Sequence, residues 1–204
     1  RLAPDFKRAD VTYPPQSLAF VGLKQEKRLE VYGAGKDGRF HFIRAYPILA
    51  ASGAAGPKLR EGDRQVPEGL YRIESLNPNS RFHLSLRINY PNDFDRARAK
   101  EDQRTHLGGD IMIHGNSVSI GCLAMGDEAA EDLFVLAALT GVRNINVILS
   151  PKDFRTSETI EIPANAPKWT AGLYDSIKAA LNSYRRPASN ASGIGEFSRR
   201  DKRE

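Results

Sequence analysis

Residues Gly108 to Asp127 read GGDIMIHGNSVSIGCLAMGD, and this run places the only cysteine, Cys122, eight residues after His114. A thiol nucleophile needs a base nearby, because the thiolate and not the thiol attacks. The apolar run Ile111-Met112-Ile113 delivers His114 like the end of a buried strand. Gly-Asn-Ser-Val-Ser-Ile-Gly then reads as a tight loop that folds back and lets histidine and cysteine meet. A lone cysteine is more often an inert small hydrophobe. Its place between Gly121 and Leu123, after a polar glycine-containing loop, points to a nucleophile site instead.

Upstream of this run the pattern is strand-rich. Residues 1–16 are polar and hold Pro4, Pro14 and Pro15, so they read as a lead-in arm. Strands are expected at 17–24, 29–32, 39–48, 66–73 and 82–88, with turns between them. Ala50 to Arg64 is small, Gly-rich and polar, a long loop of the kind that often carries function. Asn89 to Thr105 is dense in charge and reads as a solvated helix or the edge of a lid. Downstream, Asp127 reads as the N-cap of a helix over 128–140, with Gly141 just past its end. A strand over 142–149 follows, then a loop and an amphipathic helix over 168–186 that Pro187 stops. The division expected is an arm (1–16), a catalytic domain (17–150), a loop and helix packed on it (151–187) and a disordered basic tail (188–204). The fold class expected is α+β on a β-sandwich or mixed sheets, with helices after the nucleophile loop.

Composition narrows the function classes. The chain has 204 residues and a formal charge of +5. Six Lys/Arg against three Asp/Glu after residue 184 supply +3 of it, leaving the body only +2. No basic stripe interleaved with aromatics appears, so nothing directs the chain to nucleic acid. One cysteine allows no intramolecular disulfide, and no apolar run is long enough to span a membrane. The sequence opens on Arg1 without a methionine or signal segment, so its natural start is expected to have been removed.

Two alternatives to thiol chemistry fail on spacing. Gly33 to Gly38 lacks the spacing of a phosphate loop, and no helix pattern follows it. His41, His83, His106, His114 and Cys122 show no ligand spacing such as CxxC or HExxH, so no metal site and no cofactor are expected. In the thiol reading Cys122 attacks an acyl carbon, and His114 takes its proton or holds it as an ion pair. The amides of Ile120, Gly121 and Cys122 are placed to receive the oxyanion. Gly115, Asn116 and Ser119 orient the loop or the imidazole; local turn chemistry is the competing reading of the last two and of Ser117.

IHGNSVSIGCLAMGD resembles the active-site signature of the L,D-transpeptidase catalytic domain family, the YkuD fold, in its YafK-like branch. That signature has a His-Gly, a spacer, then Ser/Thr-His-Gly-Cys; His114-Gly115 and Ser119-Ile120-Gly121-Cys122 match it. Val66-Pro67-Glu68-Gly69-Leu70-Tyr71 resembles the family's Thr-Pro-x-Gly-x-Tyr strand start. Ile88 to Asn92 and Gly108-Gly109-Asp110 are similar to the YafK-like branch. The resemblance covers roughly 17 to 149. It implies a cysteine acyltransferase acting on peptidoglycan stem peptides in the periplasm or cell envelope, with Cys122 as nucleophile and His114 as base. An amine acceptor then gives a crosslink or a protein attachment, and water gives hydrolysis, as in relatives that release envelope lipoprotein.

Three departures stand out. Ile120 replaces the family's second histidine, Leu123-Ala124 replaces the usual Arg or Asn after the cysteine, and the spacer is short. A peptidoglycan-binding module that kept the fold without catalysis is the third reading; it requires an unreactive Cys122.

Overall fold

A computed structural model describes residues 1–156 and 161–187. Among these described residues nine strands form one mixed sheet: β1 (Leu18–Leu23), β2 (Arg28–Ala34), β3 (Phe40–Pro47), β4 (Ala50–Ala51), β5 (Gly69–Ser80), β6 (His83–Ile88), β7 (Met112–His114), β8 (Leu123–Ala124) and β9 (Ile145–Ser150). Their order across the sheet is β3-β2-β1-β9-β5-β6-β7-β8-β4. Four helices among the described residues accompany them, α1 (Ala3–Arg8), α2 (Asp93–Glu101), α3 (Asp127–Thr140) and α4 (Thr170–Leu181). The expected α+β fold on mixed sheets is what the chain forms.

Every residue of β1 is buried, because both faces of the sheet are covered there. Leu18 and Phe20 join the larger core with α3, while Ala19, Val21 and Leu23 join a second core with Leu173, Tyr174, Ile177 and Leu181 of α4. β1 pairs in parallel with β9, Phe20 opposite Val147, although 127 residues separate the two in the chain. β5 joins the halves of the sheet. Gly69 to Arg72 pair with β9, and the rest of the strand pairs with β6.

Several elements depart from the sequence reading. The lead-in arm carries α1, whose Phe6, with Leu2 before the helix and Val11 beyond it, enters the larger core. Arg1 donates to the buried Asp132 of α3, fastening this end to the helix. β5 runs straight through Leu76-Asn77-Pro78-Asn79, where a turn is expected, and the reversal comes at Ser80 to His83 instead. Helix α3 starts at Asp127 rather than after it; Gly126, at φ 78°, takes the cap position. Asp127 is drawn away because its carboxylate accepts the Asn116 amide. Val142 to Asn144 form a 3-10 turn before β9. The expected disordered tail, 188–204, lies outside the described residues.

The charged insertion is a solvated helix, α2, with a complete capping box between Asn92 and Asp95. It is clamped at its far end, where Arg104 donates to the Leu59 carbonyl and Trp169 to Asp102.

Candidate active site

His114 ends β7 and Cys122 immediately precedes β8. The two strands run parallel with Ile113 opposite Leu123 and His114 opposite Ala124. Side chains alternate along a strand, so this register puts Cys122 two residues before Ala124 on the face that His114 shares. The amide of Met112 donates to Cys122 Sγ at 3.3 Å, as expected one step back along the ladder. Ile113 and Leu123, pointing the other way, are fully buried.

Four residues shape the loop between them. At Gly115 a Cβ would lie 2.6 Å from Asp127 Oδ1 and 2.8 Å from the Phe82 carbonyl, so only glycine fits. Asn116 takes a left-handed backbone, φ 63°, with its amide on Asp127. Ser119 closes the turn onto the cysteine: its Oγ accepts the Cys122 amide at 2.9 Å and donates to the Cys122 carbonyl. Gly121 also has a left-handed backbone, φ 89°, which frees the turn before the thiol.

The imidazole of His114 is buried, and its Nδ1 lies 2.6 Å from the Gly115 carbonyl. A carbonyl only accepts, so Nδ1 carries the hydrogen and Nε2 keeps a free lone pair. Burial pushes the His114 pKa down, against the opposing Gly115 hydrogen bond. Burial likewise pushes the Cys122 thiol up; the Met112 amide and the charge of Lys58 act against it, and Asp110 adds to it. The thiol donates to the Asp110 carbonyl, 3.6 Å away. Both shifts favour a neutral thiol and a neutral imidazole over an ion pair. Two neutral groups of this kind suit proton transfer at the moment of attack rather than a standing ion pair.

The three amides expected to face an oxyanion sit on this turn. That of Gly121 donates to Ser52 Oγ at 2.6 Å and that of Cys122 to Ser119 Oγ. Ile120 projects into solvent, 76 % exposed.

Sequence reasoning missed Ser52, Phe82 and Asp127 as parts of the site. Ser52 opens the Gly-rich loop singled out by its length, and that loop is fastened by a buried cluster. Lys24 Nζ donates to Glu68, to the Ala54 carbonyl and to the Val66 carbonyl; Glu68 also accepts from the Gly56 amide and from Tyr174 of α4. Phe82 lies over the His114 ring with centroids 4.8 Å apart. No spacing in the sequence announces a contact made by a hairpin turn.

A polar cleft of about 480 Å³, whose lining includes neither Cys122 nor His114, is formed by Glu74, Arg87, Asn89, Asp93, Arg96 and Gly109, among others. Arg87 bridges Glu74 and Asp110, each at 2.8 Å, and the Asp110 carbonyl is the one that the thiol touches.

Comparison with known proteins follows the same residues. The YkuD family, L,D-transpeptidase catalytic domain, matches residues 17–149. The chain belongs to this family. It is 36 % identical over 134 residues to YafK of Escherichia coli K12, provisionally named an L,D-transpeptidase, and YafK of strain O157:H7 matches equally. The match covers 63 % of this chain and 52 % of YafK, so the chain spans about half the length of these relatives. Among solved structures, the helical cell shape determining protein Pgp2 of Campylobacter jejuni aligns with a TM-score of 0.55 at 21 % identity. That alignment covers 67 % of this chain and 48 % of Pgp2 and reflects a shared fold.

Proposed function

We propose that the protein is a cysteine acyltransferase that remodels peptidoglycan stem peptides through an acyl-enzyme on Cys122. The observation that carries this reading is the contact of His114 Nδ1 with the Gly115 carbonyl at 2.6 Å, from which the tautomer follows. With Nδ1–H held by the Gly115 carbonyl, Nε2 is the free base, and the β7–β8 register puts it on the face that bears the thiol. Family membership supplies the substrate class, and Pgp2 is a protein of cell-shape determination.

On this reading the donor stem peptide lies in the polar cleft with its scissile carbonyl over Cys122. As Sγ bonds the carbonyl carbon, Nε2 takes the thiol proton. The oxyanion draws on the amides of Ile120 and Gly121, the Ser52 hydroxyl that accepts the Gly121 amide at rest turning aside, while the Cys122 amide stays on Ser119 Oγ and holds the turn. Collapse breaks the C–N bond, and the leaving amine takes the proton from Nε2. A thioester remains. An incoming amine, or water, then loses its proton to His114 and releases the enzyme. The envelope outside the cytoplasmic membrane, where peptidoglycan lies, is the proposed site of action. Among the described residues no helix is long and apolar enough to cross a membrane.

Transfer and hydrolysis share the thioester and part only at its resolution. Defined muropeptides incubated with and without a competing amine separate them. Crosslinked or exchanged products mean transfer, and shortened peptides alone mean hydrolysis. If neither forms with the wild-type protein, the proposal fails.

A further inference from the structure

Phe82 stands outside the loop that holds His114 and Cys122, in the turn between β5 and β6, yet its ring lies on the imidazole. The centroids are 4.8 Å apart and the planes are tilted by 33°. Phe82 is 40 % exposed, while His114 is 2 % exposed. The hairpin is also built to hold the ring there. Its next residue, His83, adopts a left-handed backbone at φ 70°, and His83 Nε2 meets Glu131 of α3 at 3.0 Å. Glu131 in turn accepts from Arg1. On the other side, the Gly115 amide donates to the Leu84 carbonyl, and the Phe82 carbonyl abuts Gly115 so closely that no Cβ fits between them. The packing of Gly115 against this turn therefore fixes the height of the phenyl ring over the histidine.

We infer that Phe82 is a positioning residue for His114, a flat apolar cover that keeps water off one imidazole face and stops the ring from rotating away from its Gly115 anchor. The inference rests on the proposed role of His114 as base. Burial already disfavours the imidazolium. The titratable and charged groups on the surrounding elements include Cys122 beside β8, Asp127, Glu128, Glu131 and Asp132 on α3, Arg81 and His83 on the same hairpin, and Arg87 on β6. The phenyl ring covers the imidazole face without adding a charge.

The test is the titration of His114 in the full chain, followed by nitrogen-15 NMR of the imidazole, in wild type, Phe82→Ala and Phe82→Tyr. Exposing the ring stabilises its charged form, so Phe82→Ala should raise the midpoint by about half a pH unit, roughly a threefold change in protonated fraction. Phe82→Tyr keeps a ring and should titrate like wild type. The acidic limb of kcat/KM on muropeptides should move to higher pH by the same amount, with KM little changed. An unmoved midpoint in Phe82→Ala overturns the inference. Should that variant disturb the backbone signals of β5 and β6, Phe82→Leu keeps the apolar bulk without the flat face. A raised midpoint there supports the role of the ring, and an unmoved one contradicts it. The midpoint is read without turnover. A wild type inert toward muropeptides, with the Phe82 effect intact, would reject the proposed reaction and leave the positioning role standing.

Discussion

Gly115 and Asp127 are locked together across the site: a Cβ on Gly115 would come within 2.6 Å of Asp127 Oδ1, the same oxygen that accepts the Asn116 amide at 2.7 Å. Gly115→Ala must push the loop off α3 or off the Phe82 hairpin. A loss of about 1–3 kcal/mol is expected from such overpacking, together with a large drop in turnover. Asp127→Asn keeps an acceptor oxygen and should be mild, whereas Asp127→Ala should resemble Gly115→Ala. Thermal unfolding of the three variants checks the ranking.

Ser119 both accepts the Cys122 amide and donates to the Cys122 carbonyl. Ser119→Ala leaves the Cys122 amide and carbonyl unmatched and lets the turn drift. About 1–2 kcal/mol of transition-state stabilisation should go, roughly a tenfold fall in kcat/KM, with Ser119→Thr restoring most of it. Steady-state kinetics on defined muropeptides decide it.

The pH dependence follows from the two neutral partners. Burial lowers the pKa of His114, so the imidazole stays a competent base below histidine's ordinary value of about 6.5. The rate constant kcat/KM should hold through that pH on going down and fall only once His114 takes up a proton. Burial raises the Cys122 thiol, so alkylation by iodoacetamide near neutral pH should be slower than for a free thiol. A fast, pH-independent alkylation from pH 5 to 8 would instead indicate a standing thiolate–imidazolium pair.

Much of this site could be seen in the chain before its fold. The spacing of His114 and Cys122, the alternating strands and the helix after Asp127 are local signals, set by residue type and period. What the sequence hides is made at long range. Nothing local says that Leu18 to Leu23 lie beside Ile145 to Ser150, because parallel partners share no turn. Ser52 and Phe82 reach the site only because β4 pairs with β8 and because β6 pairs with β7. The arm hides its role for another reason. Its polar, proline-containing composition masks Leu2, Phe6 and Val11, which enter the core. Likewise, Asp127 reads as a cap because local propensity favours it there; Asn116, eleven positions earlier, takes its carboxylate instead.

Lys24 and Glu68 form the buried clasp between the Ser52 loop and α4. Glu68 is fully buried and also holds the Gly56 amide and the Tyr174 hydroxyl. Burial, more than the opposing charge of Glu68, governs Lys24 and pushes its pKa down. Glu68→Ala strands that ammonium and two donors, a loss of about 3–5 kcal/mol for a broken buried pair. Glu68→Gln should cost less, since its amide oxygen still accepts. Chemical denaturation of both variants measures the difference.

The central claim is that Cys122 carries the acyl group. Intact-protein mass spectrometry after rapid quenching with a defined muropeptide reads this directly, with peptide mapping to locate the adduct. The account predicts a mass increase equal to the donor acyl fragment, mapped to Cys122, lost on adding an amine or on longer incubation in water, and absent in Cys122→Ala. An adduct on another residue, or undiminished turnover by folded Cys122→Ala, would contradict it.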